Sequence, residues 1–372
     1  MKASVVREIG GPFKIEDIEI GEPLGFEVLV DVKACGLCHS DLGTAQAGYL
    51  PFPVVLGHEP AGVVIAVGSQ VTEFSVGDHV VGCLVQYCGR CRKCLSGKVT
   101  QCLSPGVTVR SDEQPPHLSV AGEPIHQGMG LGGFAERMLA HEAQLVRVPK
   151  DLPFPQAALL GCGVVTGAGT VLNTAAVEAG SSVVVIGTGG VGLSAISGAG
   201  IAGATQIVAV DVSDGKLERA RHFGATHVVN SASVDPVEAV RAITGGADYV
   251  FDCVDAGGVQ QQGLQMLTTA GGGSLYLVGV GVGVGVGVGD GTTGISVQNM
   301  EMVMGKYRVE GAYMGSTNPK RDIPAFVELY RQERFNLDDL VSREIALSEV
   351  DAAYKTLSDP AIARVVITDF AN

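Results

Sequence analysis

Four of the nine cysteines, Cys88, Cys91, Cys94 and Cys102, are spaced C-x2-C-x2-C-x7-C in a loop rich in Gly, Arg and Lys. That spacing lets four thiolates fold round a single ion, and zinc is the natural occupant. Four sulfur ligands complete its tetrahedral shell and leave no position for a reactant, so the site is predicted to be structural. Arg90, Arg92, Lys93 and Lys98 stand in the same loop and offset the surplus negative charge of four thiolates on one dication. An iron–sulfur cluster is the rival occupant, although the usual bacterial run closes with C-x3-C-P, which this loop lacks. Reduced surface thiols without an ion are the third reading.

A second set is scattered: Cys38 in "CGLCHSD", His58 in "GHEPAG" and Cys162 in "GCGVVTG". Each alone is more often a packed or exposed residue than a ligand. Together, two thiolates and one imidazole leave the fourth tetrahedral position of zinc open to water or substrate, as catalysis requires. A third constellation is Gly187-Thr188-Gly189-Gly190-Val191-Gly192, which follows the apolar strand "VVVI" and opens a helix-like stretch. Its glycines permit a tight turn and close approach of backbone to a pyrophosphate at a helix N-terminus. Asp211 lies 19 residues after Gly192, directly after "IVAV". There a carboxylate accepts hydrogen bonds from an adenosine ribose and repels the extra phosphate of NADP, which favours NAD.

The elements that must position these groups follow from the patterning. With 372 residues, 46 % of them apolar and 17 % charged, the chain suits two domains of ordinary size and permits a cleft between them. From Gly25 to Gly82, short Val- and Ile-rich runs are punctuated by Gly, Pro and Asp, which predicts a β-rich N-terminal domain. Between Cys102 and Gly133, a Pro-, Gly- and Ser-rich stretch with little periodicity predicts a long surface loop. Beyond Val164, the apolar strands Val183 to Ile186, Ile207 to Val210, Tyr249 to Phe251 and Ser274 to Val278 alternate with helix-like segments such as Lys216 to Phe223. Such alternation implies βαβ units and a parallel sheet. The closing "ARVVITDF" reads as one more strand, available to the N-terminal domain. Val278 to Gly289 consists of six Val-Gly pairs, read as a flexible loop or frayed strand because glycine carries an entropic cost throughout.

The net charge of −14 disfavours nucleic acid and anionic membrane as partners. The first residues show no apolar signal region, and no uninterrupted apolar run approaches the roughly 20 residues that span a bilayer. A cytoplasmic protein is expected, in which the cysteines serve metal binding or catalysis rather than disulfides.

In order and with similar intervals, "GLCHSD", "GHE", the four-cysteine loop, "GCG" and "GTGGVG" resemble the zinc-containing medium-chain alcohol dehydrogenase family over essentially the whole chain. The long stretch after Cys102 resembles the longer, usually dimeric branch. The resemblance implies an α/β fold: a β-rich GroES-like catalytic domain plus a Rossmann coenzyme domain with a doubly wound parallel sheet. The catalytic domain would occupy residues 1–163, including the structural zinc loop 88–102, the NAD-binding domain 164–313, and the return to the catalytic domain 314–372. Two zinc ions and NAD are implied, with hydride passing between the nicotinamide and an alcohol, aldehyde or ketone.

Position by position, the resemblance implies catalytic zinc held by Cys38, His58 and Cys162, with Glu59 beside the metal and Asp41 supporting His58. Ser40 would contact the alcohol and begin a proton path; as the plainer reading, it caps the next helix. Gly43 departs from the family, which often places a relay histidine there. His39 and Arg364 would approach the cofactor pyrophosphate, Thr166 the nicotinamide and Lys216 the adenosine ribose, with Val278 a further cofactor-binding residue. Leu84, Met129, Val280 and Tyr313 are candidates for an apolar substrate pocket. Primary aliphatic or aromatic alcohols are the expected substrates. A thiol hemiacetal, as in the formaldehyde-oxidising branch, is the alternative, and a non-catalytic binding protein on the same fold is the alternative of another class. The segment Ile295 to Ser316 resembles the family's dimer-forming region and alternates apolar and polar residues, which predicts a homodimer.

Overall fold

The computed structural model describes residues 1–111, 113–254, 256–279, 295–296, 299–357 and 359–371. The chain divides into two units, Met1–Cys162 with Thr317–Asn372, and Gly163–Ser316. Most of the Val-Gly repeat, Val280 included, lies outside the described residues.

The first unit holds two sheets among the described residues. The larger runs Leu145–Val148, His79–Gly82, Glu59–Val67, Glu27–Gly36, Arg364–Asp369, Val341–Ala346, with Arg137–His141 also paired to Glu27–Gly36. Its central strand, EVLVDVKACG, buries Glu27, Val28, Val30, Val32 and Ala34. This period-two alternation sends one face inward. The C-terminal strand joins antiparallel to it, with Val366 opposite Gly36 and Ile367 opposite Cys35. Under the sheet, Phe13 packs on Tyr354 at 4.9 Å and edge-on to Phe134 at 6.2 Å between ring centroids. The Tyr354 hydroxyl donates to the Cys38 carbonyl over 3.2 Å, which ties this core to the end of the central strand.

The stretch after Cys102 is more ordered than a surface loop. Leu118–Val120 and Glu123–Gln127 form a hairpin through Ala121 and Gly122, both left-handed at φ 49° and 83°. Leu118, Ile125 and Gln127 are buried. Such a turn favours Asn-Gly or Gly-Gly, so an Ala-Gly pair between strands of three and five residues, one holding Pro124, gives a weak sequence signal. The same stretch is anchored by charge. Arg110 Nε and His117 Nε2 each lie 2.8 Å from Glu27 Oε1, and the Leu24 N–H donates to Oε2 over 2.8 Å. The Arg110 and Glu27 side chains are only 6 % and 8 % exposed, so their ion pair is shielded from water.

Among the described residues, the second unit holds a six-stranded parallel sheet in the order His227–Asn230, Gln206–Asp211, Ser182–Ile186, Tyr249–Asp252, Ser274–Leu277, Arg308–Gly311. With Ser182–Ile186 as the first strand this is the doubly wound order 3-2-1-4-5-6, which reverses beside that strand. Its residues Val183 to Ile186 are all buried, as a strand covered on both faces demands. The helix Phe154–Thr174, which contains the division between units, is long and apolar enough to cross a membrane. Its apolar window is 83 % buried within the chain, the situation of a core helix. The segment read as alternating from Ile295 to Ser316 is instead a helix, Asn299–Gly305, followed by the edge strand Arg308–Gly311.

Burial pushes the Glu27 carboxyl up, but His117, Arg110 and the Leu24 N–H outweigh it and hold the pKa at about 2, against an ordinary 4.5. The stabilisation is therefore complete above pH 4.5 and is lost as pH falls toward 2. Glu27→Gln is expected to cost roughly 3 kcal/mol at pH 7, since it leaves Arg110 buried without its counter-charge. Thermal melts of both proteins should show that difference shrinking on acidification; a difference independent of pH would remove the triad from the account.

Candidate active site and metal centres

The first cluster is assembled from three separate elements. The central strand delivers Cys38, which caps the helix His39–Ala47. The antiparallel neighbour begins at Glu59, set opposite Gly36 by the ladder. His58 precedes it, held by Gly57 at φ 94°, where a Cβ would come within 2.6 Å of the Phe134 nitrogen. Only glycine lets the chain pass so close while turning left-handed. Cys162 comes from the π-helical stretch Leu160–Val164; π-turns interrupt α-helices most often at functional sites. The ligand atoms of Cys38, His58, Glu59 and Cys162 all lie within 4.8 Å of one another, and all four residues are buried.

Asp41, in the first turn of the same helix, lies with Oδ1 2.9 Å from His58 Nδ1 and accepts the Gly57 N–H over 3.0 Å. With Nδ1 thus engaged, Nε2 faces the sulfurs. His58 Nε2 and Glu59 Oε2 are both buried without a hydrogen-bond partner. Buried polar atoms are seldom left so. Arg364 Nη1 reaches Glu59 Oε1 at 3.2 Å and the Leu37 carbonyl at 3.4 Å.

The electrostatics show what this donor set lacks. The hydrogen bond from Cys162, helped by His58 and Arg364, overcomes burial and draws the Cys38 thiol well below its ordinary value. Cys162, donating that bond and desolvated, is pushed well up. Burial raises the Glu59 carboxyl to about 7 even though Arg364 and His58 oppose the rise. The chain's own charges therefore do not support two thiolates and a carboxylate together. A dication does, and two sulfurs with an imidazole are a donor set for zinc with one position left open.

The second cluster is local. The sulfurs of Cys88, Cys91, Cys94 and Cys102 lie within 4.8 Å of one another, with Cys91 and Cys94 3.5 Å apart. Backbone N–H groups point at them: Cys88 N to Cys102 Sγ at 3.2 Å, Cys91 N to Cys88 Sγ at 3.4 Å and Leu103 N to Cys91 Sγ at 3.5 Å. Such bonds favour thiolates, and those from Leu103 and Cys94 lower the Cys91 thiol to about 6. All nine cysteines are free of disulfides. This closed four-sulfur set fits a tetrahedral zinc ion that keeps no open position.

In the second unit, strand Ser182–Ile186 leads into the glycine turn and helix Gly190–Ala202. A Cβ at Gly192 would stand 1.8 Å from the Gly187 carbonyl oxygen, so the turn closes only with glycine there. Gly189, the N-cap, offers no side-chain acceptor to the first-turn N–H groups of Gly190 and Val191. Open space lies where a Gly189 side chain would be. A helix start with uncapped amides and room in front of it fits a dinucleotide phosphate. Asp211 ends its strand with the carboxylate bonded to Thr188 and to the Val212 and Ser213 amides.

The other expected residues fall as follows. Ser40 Oγ lies 3.6 Å from Cys38 Sγ, and His39 is exposed at the helix start. Thr166 is buried in the second unit, its hydroxyl 3.5 Å from Met314 Sδ. Val278 is buried and its N–H donates to the Asp252 carbonyl. Lys216 sits on helix Asp214–His222, whose cap is Ser213. Leu84 borders the first unit's core, and Met129, at φ 54°, has its carbonyl held by Gln144; Tyr313 is an exposed residue of the second unit. Sequence reading missed two residues. Tyr354 holds the Cys38 carbonyl from more than three hundred positions away, with no local signal. Thr188 was legible as the one hydroxyl inside the glycine turn.

The comparisons with known proteins agree with this geometry. The alcohol dehydrogenase GroES-like domain family matches residues 25–150, and the zinc-binding dehydrogenase family matches residues 190–332. The S-(hydroxymethyl)glutathione dehydrogenase of Paracoccus denitrificans is 33 % identical over 95 % of this chain and 95 % of its own length. Among solved structures, an alcohol dehydrogenase zinc-binding domain protein from Burkholderia ambifaria superposes with a TM-score of 0.90 at 38 % identity, covering 99 % of this chain and 98 % of that one. The benzyl alcohol dehydrogenase of Acinetobacter calcoaceticus does so with 0.89 at 34 % identity, covering 99 % of both. The coverage runs through both units and takes in both cysteine clusters and the glycine turn; the chain belongs to the zinc-containing medium-chain alcohol dehydrogenase family.

Proposed function

We propose that the chain interconverts small alcohols with aldehydes or ketones, using NAD, at a catalytic zinc held by Cys38, His58 and Cys162. The observation that carries this reading is the buried cluster of two sulfurs and an orphaned imidazole nitrogen with a carboxylate beside it. Zinc there supplies a Lewis acid that lowers the pKa of an alcohol and polarises a carbonyl, and NAD supplies the hydride acceptor. The chain's part is geometric. Asp41 fixes the His58 tautomer, as partners of ligating histidines do. Ser40 Oγ takes the proton of the alcohol hydroxyl as it releases its own. Gly43 offers no side chain to pass it on, so the proton leaves by water or by exposed His39. Glu59, paired with Arg364, keeps a second carboxylate beside the donors without displacing them. The loop 88–102 holds the structural zinc. Gly187, Gly189, Gly190, Val191 and Gly192 receive the pyrophosphate, aided by His39, with Asp211 and Lys216 at the ribose and Thr166 and Val278 nearer the nicotinamide. Nine reduced cysteines suit a cytosolic setting.

The test is metal content set beside turnover. The purified chain is expected to hold two zinc ions, and Cys162→Ser to lose one of them. Turnover of that variant should fall by at least about a hundredfold while NADH still binds. Full activity with only the four-sulfur zinc retained would refute the assignment.

Two classes of substrate remain to be separated. Simple aliphatic and aromatic alcohols match the apolar candidates Leu84, Met129 and Tyr313, and the name of the Acinetobacter neighbour supports them. The name of the Paracoccus relative supports a thiol hemiacetal. A steady-state screen is expected to show the higher kcat/KM on simple alcohols; a clear excess for S-(hydroxymethyl) thiol adducts would reverse the order.

We also infer a homodimer. Among the described residues strand Arg308–Gly311 is a sheet edge, and the neighbouring helix exposes Met300, Val303 and Met304 at 77, 72 and 74 %. An edge strand flanked by bare apolar side chains invites pairing with a second copy. Sedimentation should give a dimer that Met304→Glu shifts toward monomer; a monomer at micromolar concentration would overturn this without touching the chemistry.

A further inference from the structure

The Asp211 carboxylate is held unevenly. Its Oδ1 accepts the N–H groups of Val212 and Ser213, at 2.8 and 3.2 Å. Both donors on Oδ2 come from Thr188: its N–H at 2.9 Å and its hydroxyl at 3.0 Å. Thr188 is fully buried, so its side chain turns away from solvent and onto Asp211. Among the described residues it is the one side chain that donates to this carboxylate, and the one donor a substitution can remove while the backbone stays in place.

We propose that Thr188 is a positioning residue for cofactor choice: its hydroxyl locks the Asp211 carboxylate in the orientation that accepts the ribose of NAD and rejects the 2′-phosphate of NADP. The proposal rests on the reading of the glycine turn and Asp211 as the NAD site. A fixed carboxylate serves twice, as a ready acceptor for ribose hydroxyls and as an anion that meets a phosphate at close range. If Oδ2 keeps only the Thr188 N–H, the carboxylate plane is free to swing toward other donors. The ribose then loses its fixed acceptor, and the repulsion that excludes the phosphate weakens. Lys216, on the helix that Ser213 caps, is then left to attract that phosphate. Charge-assisted hydrogen bonds are the stronger class, so losing one from a buried carboxylate has a measurable effect.

Thr188→Val keeps the β-branched shape and the backbone N–H while deleting the hydroxyl; Thr188→Ser keeps the hydroxyl. Binding of NADH and NADPH to the purified zinc-loaded protein would be followed by nucleotide fluorescence, with melting temperature as a check on folding. Wild type is expected to prefer NADH. Thr188→Val should raise the NADH Kd by about fivefold and leave NADPH nearly unchanged, so that the preference narrows by a similar factor. Thr188→Ser should restore it. A Val variant that keeps the wild-type preference, or that weakens both nucleotides equally with a lowered melting temperature, overturns the role given to Thr188. Asp211→Ser separates this from a failure of the underlying reading. If that variant also keeps the preference for NADH, Asp211 is not the discriminating group, and the proposal falls with the reading.

Discussion

Charge that has been taken out of water must be answered, and the cluster at Cys38, His58, Glu59 and Cys162 is where this chain faces that constraint most sharply. All four residues are buried, Asp41 stands behind the imidazole, and one guanidinium, that of Arg364, faces the carboxylate. The hydrogen bond to Cys38 and then burial raise Cys162, and burial raises Glu59, both toward their neutral forms, while Cys38 is drawn the other way by its neighbours. A low-dielectric site tolerates this inventory of anions only when a compact positive charge sits among them. Much of the first unit's local geometry serves to hold the donors in register for that charge: the ladder that sets Glu59 opposite Gly36, the close pass of Gly57 under Phe134, and the Tyr354 hydroxyl on the Cys38 carbonyl.

The two cysteine clusters solve the same chemical problem by opposite means. The loop 88–102 is half-exposed and local in sequence, backbone N–H groups of the same loop point at its sulfurs, and Arg90, Arg92 and Lys98 are exposed. It can close round an ion with little help from the rest of the fold. The other cluster needs a strand end, a loop held by a distant aromatic residue and a π-helical stretch to converge. The first set, four sulfurs, suits a filled tetrahedron; the second, two sulfurs and an imidazole, suits an ion with one position open to a reactant.

This contrast explains what could be read from the residues alone. The four-cysteine spacing and the glycine turn are short-range patterns whose chemistry is set by backbone geometry within a few residues, so their convergence in space follows from sequence directly. The parallel sheet was legible because strands such as Val183 to Ile186 are apolar on both faces. Cys38, His58 and Cys162 are not linked by any local rule; their donor types suggested the set, and the resemblance to a family placed them in it. The hairpin at Leu118–Gln127 was hidden by Ala121 in a position that normally asks for Asn or Gly. The helix Asn299–Gly305 exposes Met300, Val303 and Met304, so its apolar residues do not trace the stripe that marks a packed helix. The partnership of Arg364 with Glu59 spans 305 positions and belongs to topology, which periodicity does not reveal.

That last separation has a consequence for how the chain comes to be. The second unit is one continuous segment, Gly163–Ser316, whereas the first is built from two separated stretches. The first unit cannot complete its larger sheet until Arg364–Asp369 arrives to pair with Glu27–Gly36. Until then Glu59 lacks the Arg364 guanidinium that faces it in the folded chain. Such long-range closure is slow by nature. The last strand therefore finishes two things at once, the larger sheet and the ion pair at Glu59, so the surroundings of the buried cluster are complete only when Arg364–Asp369 is in place.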